Sequence, residues 1–193
     1  KSAASFFISP DSPSIREEIF QRVQVYGLTY ARLFSPQCRV SKTSFIGQGS
    51  CLQYGANVSA SCVMGDFVKV NTYANVMHDS VIGNFSTIAP NAAIMGRVKI
   101  GERCYIGANA TIIPEITICG NTIIGAGAVV NKDIKEPGTY VGVPARRIKE
   151  SIMLLTTACA MLAIASVLLE IASALQAEVS GWNGYTDLTD GTD

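Results

Sequence analysis

The chain has 193 residues, more than a typical domain of ~100–150 residues, so we expect one large domain or one domain with attached segments. Fifteen Lys and Arg balance fifteen Asp and Glu, which argues against a nucleic-acid-binding surface, and the 48% hydrophobic content argues against disorder. Because His78 is the only histidine, metal sites that need two or three imidazoles are excluded, and we expect no metal.

The cysteines and the N-terminal residues bear on the cellular compartment. The six cysteines contain no C-x-x-C pair and no dense framework, which favours a reduced protein. No secretory signal peptide is recognisable, because the short apolar patch near the start is followed at once by turn-forming residues 9–13. We therefore expect a cytoplasmic protein.

Residues 6–36 have the pattern of a strand, a helix and a second strand. The first strand is predicted at 6–8 and the second at 28–34. A helix is predicted to begin near Pro13 and to stop at Gly27. Four apolar residues between these two recur at helical spacing: Ile15, Ile19, Phe20 and Val23. No G-x-G-x-x-G phosphate-binding turn is present in the sequence.

The following residues repeat with a period of six. Sixteen consecutive steps of six are all aliphatic. They are Val40, Ile46, Leu52, Val58, Met64, Val70, Val76, Ile82, Ile88, Ile94, Ile100, Ile106, Ile112, Ile118, Ile124 and Val130. Such hexapeptide periodicity is the signature of a parallel β-helix.

The other positions of each hexad agree with this fold. The position four residues after each aliphatic residue is mostly small, as at Ser50, Ala74 and Ala92, which suits a narrow interior. The positions two and three residues after it are rich in Gly, Asn, Asp and Pro, which favour turns and are incompatible with a long helix. Three hexads make one triangular coil, so residues 18 apart stack at ~4.8 Å, and sixteen hexads predict about five coils.

His78 lies in a turn position of its hexad, so its ring is predicted to point outward from a corner. One coil further on, the stacked residue is Gly96, which leaves a gap beside the imidazole and a backbone N–H close by. A general base next to such a donor suits acyl transfer. At a corner the carboxylate of the adjacent Asp79 can approach the ring and raise its basicity. A solvated turn is the alternative interpretation of both residues.

Three stretches resemble the sugar O- and N-acyltransferases of the NeuD/PglD type, which include sialic acid O-acetyltransferases and UDP-amino-sugar N-acetyltransferases. They read HDSVIGNFS at 78–86, GRVKIG at 96–101 and VGVPARRI at 141–148, and the likeness covers roughly residues 6–149. The resemblance implies a left-handed β-helix, acetyl-CoA as co-substrate, a homotrimer with active sites between subunits, and a sugar or nucleotide-sugar acceptor.

The resemblance also implies roles for single residues. His78 would be the catalytic base and Asp79 its support. Acetyl-CoA would contact four further residues, namely Thr87, Gly96, Ala108 and Ala126, of which the two alanines stack on one edge. The basic residues of the closing loop, Lys132, Lys135, Arg146 and Arg147, would lie near the phosphates of CoA. Asp11, Ser14 and Arg16 would lie on the acceptor side.

The chain is predicted to consist of four parts. Residues 1–37 are predicted to form a partial Rossmann-like acceptor-binding segment, and residues 38–149 the β-helix with its closing loop. Residues 150–180 are predicted to form an apolar helix, and residues 181–193 a polar tail. Because 151–169 carries no charge over 19 residues, a membrane anchor on the cytoplasmic face is an alternative to a helix packed on the protein, and a foreign extension is a third interpretation.

The sequence leads to one function with two alternatives. We expect an acetyl-CoA-dependent acetyltransferase acting on a sugar, through N- or O-acetylation of a nucleotide-linked amino sugar or sialic acid. The first alternative is an acetyltransferase for another acceptor, such as serine or an antibiotic. The second is a non-catalytic trimeric β-helix scaffold. A γ-class carbonic anhydrase is disfavoured because its zinc requires more histidines than this chain has.

Overall fold

The computed structural model describes residues 5–148. The segments predicted at 150–180 and 181–193, including the uncharged stretch 151–169, lie outside this range. Within residues 5–148, no helix has the length and apolar character that a membrane crossing requires.

The body of the protein is a parallel β-helix whose short strands form three sheets. The first sheet contains β3 (Leu33–Phe34), β6 (Cys51–Leu52), β9 (Lys69–Val70), β12 (Thr87–Ile88), β15 (Tyr105–Ile106), β18 (Thr122–Ile124), β20 (Gly138–Val141) and the antiparallel β21 (Arg146–Arg147). The second contains β4 (Arg39–Val40), β7 (Asn57–Val58), β10 (Asn75–Val76), β13 (Ala93–Ile94), β16 (Thr111–Ile112) and β19 (Val129–Val130). The third contains β5 (Phe45–Ile46), β8 (Val63–Met64), β11 (Val81–Ile82), β14 (Lys99–Ile100) and β17 (Thr117–Ile118).

The chain visits the three sheets in turn, and each visit ends in a tight corner. Corner I joins the first sheet to the second, corner II the second to the third, and corner III the third to the first. Paired residues along the hexad repeat are 18 apart, as in Val76 with Val58 on one side and with Ile94 on the other. This register confirms the predicted coil length. The structure has about six coils rather than the predicted five, because the first sheet adds a strand before the aliphatic repeat and β20 after it.

The aliphatic repeat forms the core. From Ile46 to Val130 its members are all buried, and only Val40 at the open end is half-buried. The small residues complete the interior, and their hydroxyls are satisfied within it. Ser80, for example, donates to Met95 O at 3.0 Å and accepts from Val98 N–H at 3.3 Å. Each buried polar atom of this kind is paired, so the narrow core tolerates serine.

The N-terminal segment forms a small unit on the side of the β-helix. β1 (Ser5–Phe6) and β2 (Thr29–Tyr30) pair in parallel, and α1 (Pro13–Val23) with a 3₁₀ turn (Gln24–Tyr26) connects them. Pro13 begins the helix and Gly27 ends the turn with φ 61°, which confirms the predicted start and stop. The predicted second strand is split in two, because β2 pairs with β1 whereas β3 already belongs to the β-helix.

Aromatic rings fix this unit to corner III. Phe20 of α1 packs against Phe67 and Phe85, whose rings are stacked with centroids 5.1 Å apart. Both corner phenylalanines have a left-handed backbone, with φ of 56° and 59°. Residues other than Gly and Asn rarely adopt this conformation, but it recurs at the same hexad position in the exposed Tyr73, Arg97 and Glu115, so the tight turn of the coil imposes it.

Candidate active site

Corner II places His78 and Asp79 at the surface, between β10 and β11. His78 Nδ1 lies 2.8 Å from Asp79 Oδ2, and the two side chains are 47% and 52% exposed. Asp79 has φ 59°, which turns its carboxylate back towards the preceding ring. The predictions that the ring points outward and that the carboxylate approaches it are both confirmed. Since the carboxylate occupies Nδ1, Nε2 is left to face a ligand.

Gly96 lies directly against the imidazole, as predicted. A β-carbon built at Gly96 would come within 2.7 Å of both Cε1 and Nε2 of His78, closer than real contacts allow. Arg97 N–H donates to His78 O at 2.9 Å, which fixes the stacking of the two coils. Among the hydrogen bonds between described residues, none uses the Gly96 N–H as donor. Corner II therefore combines an accessible imidazole nitrogen with a neighbouring unpaired backbone donor.

Ala108 and Ala126 stack on each other at corner I, as their spacing predicts. Gly127 N–H donates to Ala108 O at 2.8 Å, and the backbone beside Ala126 lies so close to Gly107 that a β-carbon there would come 2.6 Å from Ala126 N. Ala108 is half-buried and Ala126 is exposed. Small side chains thus leave a narrow edge here, but it is a different corner from the one that carries His78.

The remaining predicted site residues gather beneath the N-terminal segment. Arg16 of α1 is fully buried and donates to the carbonyls of Pro10, Asp11, Phe67, Phe85 and Ser86 and to the hydroxyl of Thr87. Burial lowers the pKa of the Arg16 guanidinium to about 10, which still leaves it charged at neutral pH.

Thr87 and Asp11 belong to the same network. The Thr87 hydroxyl donates to Asp11 O at 2.7 Å, and the Thr87 residue is fully buried. The buried Lys69 donates to Ser9 O at 2.7 Å and pairs with Asp11 Oδ1 at 2.6 Å. In the single chain, Arg16 and Thr87 thus join the loop at 9–12 to the first sheet rather than facing solvent.

Ser14 and Asp11 are the acceptor-side residues that stay exposed, and the Ser14 hydroxyl lies 3.1 Å from that of Ser12. The structure thus divides the predicted site residues among three places: corner II, corner I and the interface beneath the N-terminal segment. Two of the predicted acceptor-side residues, Asp11 and Arg16, share one network with Thr87, which their separation in sequence did not indicate.

The closing loop carries its predicted positive charge at the surface. β21, with Arg146 and Arg147, pairs in an antiparallel manner with β20. Arg147 forms an ion pair with Glu136 and donates to Pro137 O at 2.8 Å. Part of the predicted charge is therefore neutralised by a neighbouring carboxylate.

The cysteines and acidic residues form neither a nucleophilic centre nor a metal cluster in the described part of the chain. Its five cysteines are free, and burial raises the pKa of the Cys104 thiol to about 11. A thiol of this kind is protonated at neutral pH and is a poor nucleophile. Across residues 5–148, no group of three or more His, Cys, Asp or Glu side chains is arranged to hold a metal ion.

One pair beside the dyad was not identified from the sequence. Arg97, one coil from Asp79, forms an ion pair with Glu115, one coil further on, with Nε 2.9 Å from Glu115 Oε1. The 18-residue spacing could have predicted this pair, because a step of 18 from Asp79 leads to Arg97 and a second step leads to Glu115.

Comparison with known proteins gives one family match, to the bacterial transferase hexapeptide (six repeats) at residues 97–132. No curated protein shows a significant match to the chain.

Three solved structures are similar over most of their length. PerB from Caulobacter crescentus, a GDP-perosamine N-acetyltransferase in complex with CoA and GDP-perosamine, is 30% identical, with 76% of this chain and 71% of that chain covered and a TM-score of 0.74. The acetyltransferase domain of PglB from Neisseria gonorrhoeae is 34% identical, with coverages of 75% and 70% and a TM-score of 0.73. WeeI from Acinetobacter baumannii is 29% identical, with coverages of 77% and 72% and a TM-score of 0.73.

Proposed function

Because this chain belongs to the hexapeptide-repeat sugar acyltransferases, we propose that it transfers the acetyl group of acetyl-CoA to the amino group of a nucleotide-linked amino sugar. The observation that carries the proposal is the arrangement at corner II, where the His78–Asp79 pair lies against Gly96, whose N–H donates to none of residues 5–148. The co-substrate and the acceptor class are supported by PerB, whose structure contains CoA and GDP-perosamine, and by the PglB domain, which has been solved with acetyl coenzyme A.

His78 acts as the general base in this proposal. Asp79 accepts a hydrogen bond from His78 Nδ1–H at 2.8 Å, which selects the tautomer that has its lone pair on Nε2. Nε2 then removes the proton from the acceptor nitrogen as that nitrogen attacks the thioester carbonyl, and returns it to the departing thiolate of CoA. Asp79 also stabilises the positive charge that the ring carries between the two transfers.

Gly96 supplies the electrostatic stabilisation. As the acceptor nitrogen adds to the acetyl carbonyl, negative charge develops on the carbonyl oxygen, and a fixed backbone N–H stabilises it without reorganisation. The absence of a side chain at Gly96 matters twice, because it exposes the N–H and leaves room for the imidazole.

Assembly of the complete site is proposed to require more than one copy of the chain. Corner II carries the dyad, whereas the narrow edge at Ala108 and Ala126, proposed to hold the pantetheine arm, lies at corner I across the second sheet. A homotrimer would bring corner I of one copy near corner II of the next. We also infer a left-handed coil, as the resemblance of the repeats implies.

The N-terminal segment is proposed to lie on the acceptor side as a partial Rossmann-like unit, with Asp11 and Ser14 at its exposed rim. Its strand–helix–strand order and parallel pairing support this assignment. Within it, Arg16 holds the loop rather than the acceptor. The buried Thr87 likewise supports the loop, and contact of Thr87 with acetyl-CoA would require the loop to move.

The decisive experiment measures CoA thiol release by wild type and His78→Ala with a panel of acceptors. We expect release with nucleotide-linked amino sugars and a fall in kcat of about 10²–10⁴-fold for the variant, the usual contribution of a general base. Asn75→Ala, an exposed change on the strand before the same corner, is the matched control and should retain wild-type turnover.

The same panel separates the alternatives. Wild-type-like turnover by His78→Ala would overturn the proposal. Release with free sialic acids would indicate O-acetylation, and release only with serine or an antibiotic would indicate a different acceptor class. Failure of calorimetry to detect acetyl-CoA binding would favour a non-catalytic scaffold.

A further inference from the structure

A column of polar residues runs along corner II beside the His78 imidazole. Ser61, Asp79, Arg97 and Glu115 follow one another in steps of 18, and all have a left-handed backbone with φ between 58° and 66°. Successive members therefore lie in adjacent coils, about 4.8 Å apart along the axis. Two of them are carboxylates, and the single cation of the column stands between them.

Arg97 is paired with only one of its two carboxylate neighbours. Its Nε and Nη2 lie 2.9 Å and 2.8 Å from Glu115 Oε1. Asp79, one coil away on the other side, is paired with His78. The Arg97 and Glu115 side chains are 56% and 67% exposed, so neither is fixed by packing. A guanidinium at this position has the length and the donors to bind either carboxylate.

We propose that Glu115 is a positioning residue for the reaction: it holds the Arg97 guanidinium away from Asp79 and so keeps the Asp79 carboxylate on His78 Nδ1. The inference rests on the proposed general-base role of His78. Without Glu115, Arg97 is free to turn to Asp79 and to draw its carboxylate away from His78 Nδ1. The ring then loses the contact that fixes its tautomer and orientation.

The test is the charge-neutral variant Glu115→Gln, which keeps the side-chain length. Exposed ion pairs are weak, so the shift in pairing is small and we expect kcat to fall about two- to fivefold at low ionic strength. The Km for acetyl-CoA and the melting temperature should stay at wild-type values. Glu18→Gln, which removes the carboxylate of another exposed pair with Arg22 on α1, is the matched control and should leave kcat unchanged.

The double variant supplies a readout that a merely structural role would not give. Arg97→Gln alone should retain wild-type turnover, and Arg97→Gln combined with Glu115→Gln should restore the turnover lost in Glu115→Gln. The loss should also fade in 1 M NaCl, where charges are screened beyond ~3 Å.

Three results would overturn the inference: unchanged turnover in Glu115→Gln, a double variant as slow as Glu115→Gln, or a raised Km or lowered kcat in Arg97→Gln alone. The last would mean that Arg97 acts on a substrate directly. The proposed function fails separately, through wild-type-like turnover of His78→Ala. With that function intact, adding Glu115→Gln to His78→Ala should have no further effect.

Discussion

The imidazole of His78 occupies the space that a side chain at residue 96 would need. The ring and the Gly96 backbone are in direct contact, so the orientation of the proposed base and the access to the N–H donor depend on the same missing β-carbon. Catalytic groups lose efficiency steeply when they move, and a displacement of about 1 Å can cost 10²-fold in rate.

Gly96→Ala is therefore expected to lower kcat about 10- to 100-fold, because the new methyl group must displace the ring by about an ångström. Steady-state kinetics with acetyl-CoA and the best acceptor of the panel provide the measurement. Gly120→Ala is the matched control, since Gly120 occupies the equivalent turn position at corner III, where its β-carbon would meet Glu102 O at 3.0 Å and no imidazole. Equal losses in both variants would indicate a general effect on the coil.

Residue-scale features of corner II differ in how far the sequence predicted them. The contacts of His78 with Asp79 and Gly96 were predicted, because a six-residue period fixes which residues stack and which share a corner. The pairing of Arg97 with Glu115 follows the same arithmetic, but turn positions were expected to hold Gly, Asn or Asp. Charged residues with a left-handed backbone give no local signal of that conformation.

At the scale of elements, one buried cation adds to the aromatic contacts of Phe20 and the Arg103–Glu17 ion pair that hold α1 to the β-helix. Arg16 donates hydrogen bonds to six oxygen atoms. Two belong to the loop at 9–12, two to the corner phenylalanines, and two to Ser86 and Thr87. A planar guanidinium with five N–H groups suits this geometry, whereas an ammonium group offers three donors from one point. Arg16 therefore positions the loop on the proposed acceptor side, together with Lys69 and Thr87.

Arg16→Lys is expected to lower the free energy of unfolding by about 2–4 kcal/mol, because buried carbonyls lose their donors. Urea denaturation followed by circular dichroism measures it. Arg22→Lys on the same helix is the control, since Arg22 is exposed and pairs with the exposed Glu18, and should change stability by less than about 0.5 kcal/mol. An equally small change in Arg16→Lys would contradict the role of Arg16 in holding α1 and the loop at 9–12 on the β-helix.

The existence of α1 was predictable, but its attachment was not. Helical spacing of apolar residues, Pro13 and Gly27 predicted the helix and its ends. The contacts of Arg16 with Phe67 and with Thr87 join residues 51 and 71 positions apart, outside the hexad register. An arginine on an amphipathic helix is ordinarily exposed, so nothing in the local pattern indicated its burial.

At the scale of the whole molecule, the β-helix presents an apolar stripe beside the dyad. Phe45, Val63 and Val81 begin three successive strands of the third sheet and stack on its outer surface, with exposures of 62%, 48% and 39%. Val81 follows Asp79 by two residues, so the stripe starts where corner II ends. Stacked apolar side chains of this kind commonly mark an interface between protein subunits.

The proposed trimer makes this stripe a contact between copies, and Val63→Glu at its centre tests that role. A glutamate buried in an apolar contact loses its hydration and gains no partner, so we expect the variant to be monomeric by sedimentation velocity where wild type is trimeric. Turnover should be lost with the trimer although His78 and Asp79 are unchanged, because corners I and II of a single copy lie on opposite sides of the second sheet. Val25→Glu, at a 78% exposed position in the 3₁₀ turn, is the matched control and should leave assembly and turnover unaltered. An active monomer, from wild type or from Val63→Glu, would mean that one copy contains the complete site.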